Sequence, residues 1–217
     1  MFIKFFKLFL ILLLYQTPLY SKKRTLNDLN SYHLSNYFSG IVAYENKNIS
    51  ESLKFFKLSK FLIKQHDSYL KRYIYSLVLE GKVQHATNEI KKNLTENNSD
   101  FFEAHLILAL DSLKKRNYKK SHEYLENAYP FINNDRISLI IVETLKQYLL
   151  VFKENKIPKL NKEFGNFSFI NEVFQRCYLQ DKNTETYFES LINNNNSADY
   201  SRYIYFYVGY LIDNNKY

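Results

Sequence analysis

From Leu26 onward, large apolar residues recur at spacings of three and four. Leu34, Tyr37, Phe38, Ile41 and Tyr44 form one such set, and Leu53, Phe56, Leu58, Leu62 and Ile63 form the next. That is the period of an α-helix with one face turned inward. Polar breaks interrupt it at residues 45–48, 80–82, 97–100, 114–117, 133–136 and 181–183. They are rich in Asn, Asp, Gly and Lys, residues that tolerate helix ends and turns. The two-residue alternation of strands is nearly absent. Residues 203–211 have a strand's aromatic content, but their length and the flanking Asp199 and Asp213 predict a buried helix. The chain reads as all-α.

The helices repeat in register. Aligning the second helix of each pair on Ile49, Val83 and Tyr118 gives intervals of 34 and 35 residues. Three residues on stand the small Ser52, Ala86 and Ser121, and four further the large apolar Phe56, Ile90 and Leu125. Nine residues before each alignment point stand Gly40, Ile74 and Ala109, small in two of the three. Small residues let antiparallel helices cross closely while large ones fill the grooves beside the contact. This interval and pattern resemble the tetratricopeptide repeat. Tyr118 before Lys119-Lys120-Ser121, Leu125 before Ala128, and Gly81 in the turn follow that family's order. The chain departs from it in having no tryptophan, in offering only Leu108-Ala109 for the family's Leu-Gly pair, in Ile74 at a small-residue position, and in lacking the proline after the second helix.

The resemblance implies a right-handed α-α superhelix, a solenoid of antiparallel helix pairs, with three repeats across residues 31–135 (about 33–66, 67–100 and 102–135). Gly40, Ser52, Ala86, Ala109, Ser121 and Ala128 are its expected packing residues. Residues 136–217 read as divergent helical repeats, pairing 137–152 with 157–164 and 169–179 with 184–192, and ending in an unpaired helix over 199–213. That last helix leaves aromatic surface that either a second chain covers or a longer array would have covered. In the family the first helices line a concave groove for a protein or peptide. The matching positions here include Leu34, Tyr37, Ile41 and Tyr44, then Lys71, Tyr75 and Val78, then Leu106, Leu110 and Leu113, with Lys114 beside them. Only Lys71 and Lys114 supply positive charge there, so the family's grip on a terminal carboxylate does not transfer. The same side chains also suit ordinary packing between repeats.

The N-terminus predicts export. Residues 1–7 carry two lysines and no acid, and residues 8–15 are an unbroken apolar run too short to span a bilayer. Ser21 offers a small residue for cleavage, so residues 1–21 read as a signal peptide or, uncleaved, as a membrane anchor, followed by a linker over 22–30. The expected location is the periplasm or cell envelope.

Charge changes this picture little. The chain carries 30 Lys and Arg against 22 Asp and Glu, a net +8. No run of five like charges occurs, and acids interrupt each lysine cluster. Catalytic constellations are equally scarce. The four glycines are scattered singly, so no loop cradles a phosphate. His33, His66, His85, His105 and His122 fall at no metal-ligand spacing and read as surface or helix-flank residues. Cys177 stands alone among Phe174, Tyr178 and Leu179 and reads as a small buried apolar residue. No cofactor, metal or small-molecule substrate is expected. The sequence therefore points to a non-enzymatic docking scaffold for a protein or peptide. The alternatives are a basic protein that binds nucleic acid or an anionic surface, a non-functional fragment of a longer repeat protein, and an enzyme without a recognisable motif. Export argues against nucleic acid.

Overall fold

The computed structural model describes residues 30–94, 100–159, 164–193 and 201–216. The expected signal segment and all but the last residue of the expected linker lie outside them, as do residues 97–99 of one expected break. Among the described residues there are ten α-helices and no strand. They fall into two compact units that divide between Glu80 and Gly81, inside the second expected repeat.

The first unit contains helices α1 (Ser31–Glu45), α2 (Ile49–Leu58) and α3 (Asp67–Leu79), with a 3₁₀ turn at Lys60–Lys64. Polar caps start each helix. Asn30 accepts from the Tyr32 amide at 2.9 Å, and the His66 ring accepts from the Ser68 amide at 3.2 Å. Asn48 and Glu51 form a reciprocal cap, the Glu51 amide donating to Asn48 at 3.3 Å and the Asn48 amide group to the Glu51 carboxylate at 2.6 Å. Helices α1 and α2 cross at Gly40, where a Cβ would lie 3.0 Å from the Phe56 ring. At the same place the Ser52 hydroxyl donates to the Gly40 carbonyl at 2.8 Å. Phe56 is fully buried there with Leu53, Leu62, Tyr69, Tyr73, Ile74 and Leu77. The Tyr69 hydroxyl donates to the Phe56 carbonyl, joining α3 to the end of α2.

The second unit contains α4 (Val83–Asn93), α5 (Phe102–Lys114), α6 (Tyr118–Ala128), α7 (Arg136–Glu154), α8 (Asn166–Tyr178), α9 (Thr184–Ile192) and α10 (Ile204–Asp213). Helices α5 and α6 reproduce the crossing of α1 and α2. The Ser121 hydroxyl donates to the Ala109 carbonyl at 2.8 Å, and Asn117 caps α6 by accepting from the Lys120 amide at 3.1 Å. Ala109, Leu125, Ala128, Ile132, Val142 and Leu149 form one core cluster. Val173, Phe188 and Leu191 form another, under α8, α9 and α10.

One turn recurs. Lys47, Arg116, Gln180 and Asn215 have φ between 50° and 65°, and Gly81 has φ of 74°. At the first of these, Asn48 N–H reaches back to the Ala43 carbonyl while Lys47 N–H reaches that of Tyr44. The same pair of bonds closes α5 (Asn117 to Ser112, Arg116 to Leu113), α8 (Asp181 to Arg176, Gln180 to Cys177) and α10 (Lys216 to Leu211, Asn215 to Ile212). This is the Schellman closure, whose left-handed residue is cheapest as glycine. Lys47→Gly is expected to stabilise the first unit by about 0.5–1 kcal/mol, read as a raised urea midpoint.

Two expectations are corrected. The helix expected to start at Ile157 and pair with 137–152 does not start there. Instead α7 runs unbroken for 19 residues to a left-handed Asn155, and neither residues 157–159 nor Phe164 are helical. Pro158 disfavours helical backbone at Ile157, which keeps a second helix from starting there. Residues 160–163 lie outside the described ones. The helix expected over 203–211 is present as α10, but no residue of it is buried.

Candidate functional site

The expected docking positions divide between the units. In the first, Tyr37 is only 2% exposed, and its ring lies 4.7 Å from that of His66, 5.8 Å from Tyr69 and 5.9 Å from Phe56. It is core, not groove, because the rings of α2 and α3 converge on it. Burial pushes its hydroxyl up, against an opposing pull from the Arg72 guanidinium. Ile41 and Tyr44 on α1, and Lys71, Tyr75 and Val78 on α3, are half-buried and leave part of each side chain to solvent, as does Leu34. The Lys71 ammonium lies 5.6 Å above the Tyr75 ring. Phe38, in the same apolar set as Tyr37, is 60% exposed and lines a separate cleft of about 590 Å³ with Ser35, Ser39, Val42 and Phe55.

In the second unit, Leu106 and Leu113 are half-buried and pack on the Ala109–Leu125 core, while Leu110 and Lys114 are exposed. Leu106, Leu110 and Lys114 follow one another at four-residue steps, so they form a stripe along α5. The packing residues Gly40, Ser52, Ala86, Ala109, Ser121 and Ala128 are all buried, Ala86 on α4 completely. Ile74, the large residue at a small-residue position, is completely buried too.

The chain matches no family model, no curated protein and no solved structure. Its chemistry therefore rests on its own side chains. Among the described residues no group of His, Cys, Asp and Glu is arranged to hold a metal ion, and no helix is long and apolar enough to cross a membrane. His105 departs from the surface role expected of the histidines. It is buried, with Nε2 2.6 Å from the Asp100 carboxylate and its ring stacked on Phe131 at 5.4 Å. Cys177 is half-buried, and burial, reinforced by the Asp213 carboxylate, pushes its thiol up.

Periodicity also missed a cleft of about 500 Å³ between α6 and α7, lined by Tyr118, His122, Leu149 and Leu150 with Lys119, Lys146 and Lys153. Lys146 is anchored at its edge, 2.7 Å from Glu126 and 3.3 Å from the Tyr129 hydroxyl, which itself donates to Glu143. Burial alone would lower the Lys146 ammonium, and those two bonds outweigh it, holding it above its ordinary value. No local sequence signal marks this network, because its members come from α6, the 3₁₀ turn at Tyr129–Phe131 and α7.

Further along α7, burial pushes the Tyr148 hydroxyl up to about 12 from 10. The unfolded chain then ionises this phenol first, so the contribution is intact below pH 10 and is lost between pH 10 and about pH 12. Discounted for the ring's partial exposure, that is about 1–2 kcal/mol. Tyr148→Phe is expected to flatten the alkaline limb of a stability–pH curve over that window.

Proposed function

We propose that this chain is a non-catalytic scaffold that binds a protein or peptide segment along the exposed faces of its first helices, in the manner of the tetratricopeptide repeats it resembles. What supports the reading is the paired crossing at Gly40–Ser52 and Ala109–Ser121, the same hydroxyl-to-carbonyl bond at 2.8 Å in two helix pairs. A right-handed superhelix of such pairs is part of the same proposal. In the first unit the docking side chains are Ile41, Tyr44, Lys71, Tyr75 and Val78, with Tyr37 behind them as core. In the second they are Leu106, Leu110 and Lys114. Half-buried tyrosine offers a large apolar body with a hydroxyl at small entropic cost, which suits an apolar segment with a few polar anchors. Export to a periplasm or cell envelope rests on residues 1–21 alone.

The test places a photo-crosslinking residue at position 75 and, as a control, at the exposed position 57 on α2. The expected result is one defined partner captured from 75, not from 57, and weakened by Lys71→Glu. Equal capture from both positions would overturn the docking role.

A further inference from the structure

The cleft between α6 and α7 is balanced in charge at one end and not at the other. Two contacts fix the register of its walls: Tyr129 meets Glu143, and Glu126 meets Lys146 at 2.7 Å, so partners advance along α7 as they recede along α6. The walls are antiparallel. Seven residues back from Glu126 stands Lys119, and seven on from Lys146 stands Lys153. Seven residues are two helical turns less about 20°, so each lysine nearly repeats the facing of its counterpart about 10 Å further along the same wall. Both line the cleft.

At the first end, Glu126 pairs with Lys146 and lies 3.3 Å from the His122 ring, so the charge there is answered within the protein. At the other end two cations share one opening, and among the described residues neither Lys119 nor Lys153 forms an ion pair. The acids closest to them in sequence do not serve. Glu154 is paired with Lys156 at 2.7 Å, and Glu123, which lines the same cleft, is within ion-pair distance of neither lysine. Between the two ends the cleft is apolar, lined by Leu149, Leu150 and the half-buried Tyr118.

From this we propose that the α6–α7 cleft binds a medium-chain fatty carboxylate, its head between Lys119 and Lys153 and its chain over Leu149 and Leu150 toward Lys146. Two cations at the end of an apolar trough are complementary to one anionic head on an apolar chain. The volume of about 500 Å³ is that of a small-molecule site. Two helical turns of trough match a chain of about eight to ten carbons. A neutral chain would leave the lysines without an anion, and a small anion would leave the leucines wet. The site does not depend on the docking face of the first helices.

Isothermal titration calorimetry of the full chain with decanoate, kept below its micellar range, tests this. The expected result is saturable one-to-one binding in the micromolar range, with decanol and acetate each about tenfold or more weaker. Lys119→Glu, Lys153→Glu and Leu150→Asp each weaken decanoate about tenfold. Lys120→Glu, the same charge change on α6 outside the cleft lining, leaves it unchanged. All four positions are exposed, so circular dichroism should show unchanged helix in each variant. Absence of saturable decanoate binding overturns the proposal. So does decanol or acetate binding as tightly as decanoate, or a loss in Lys120→Glu equal to that in Lys119→Glu.

Discussion

Phe56→Ala lowers the unfolding free energy of the first unit by about 3–5 kcal/mol, the usual result of emptying a fully buried aromatic site. The upper part of that range is expected because little around Phe56 can move in. Gly40 faces the ring without a side chain, and Tyr37 and Tyr69 are held at 5.9 Å and 6.0 Å as partners in the same cluster. The Tyr69 hydroxyl is bonded to the Phe56 carbonyl, so its ring cannot swing into the void without giving up that bond. Phe38→Ala is the matched control: the same chemical change on the same hairpin, at an exposed position, is expected to cost under about 1 kcal/mol. Urea titration followed by circular dichroism separates the two. Equal midpoints for both variants would show that the α1–α2 crossing is not where this unit's stability resides.

Phe188→Ala has a comparable effect in the second unit, about 3–5 kcal/mol, with a local signature. The Phe188 ring stacks on Tyr207 at 5.4 Å, lies 5.9 Å from Tyr210 and meets Phe174 edge-on at 6.0 Å. Helix α10 contributes no buried residue of its own and is held mainly by ring contacts, three of its aromatics meeting Phe188 or Phe174, the latter through Phe206 edge-on at 5.1 Å. Tyr207 adds a 3.3 Å bond to Glu189, and Lys216 a 2.6 Å pair with Glu185, both exposed and worth little alone. Removing the ring should therefore release α10 first. Limited proteolysis is expected to cleave within residues 201–216 of the variant well before the remaining helices. Uniform cleavage along the chain would show instead that α10 and the rest of the unit unfold together.

Much of the helical organisation was legible because it is written in local chemistry. The expected breaks at 45–48, 80–82, 114–117, 133–136 and 181–183 coincide with helix ends, and each carries an Asn, Asp or Gly that caps or turns the chain. The 34- and 35-residue intervals were legible for the same reason, being marked by Ser52, Ala86 and Ser121. Burial within a helix was harder to read. Tyr37 and Phe38 are adjacent aromatics in one apolar run, and only the arrival of Phe56 from α2, His66 capping α3 and Tyr69 within it makes the first core and leaves the second at the surface. The end of α7 was missed because nothing between Phe152 and Asn155 breaks the helical pattern, and a left-handed asparagine looks like any other asparagine in a sequence. The clefts and the Lys146 network depend on side chains meeting from different elements, which the periodicity of a single helix does not report.

The bond from Ser52 to Gly40, repeated by Ser121 to Ala109, falls at a register where Ala86 stands with no hydroxyl to give. What that register demands is therefore a limit on volume, with the extra proton donor as an option. A rule of that kind admits glycine, alanine, serine and their neighbours in size almost interchangeably. Such a chain can keep its geometry while its letters drift, and the shape outlasts the spelling.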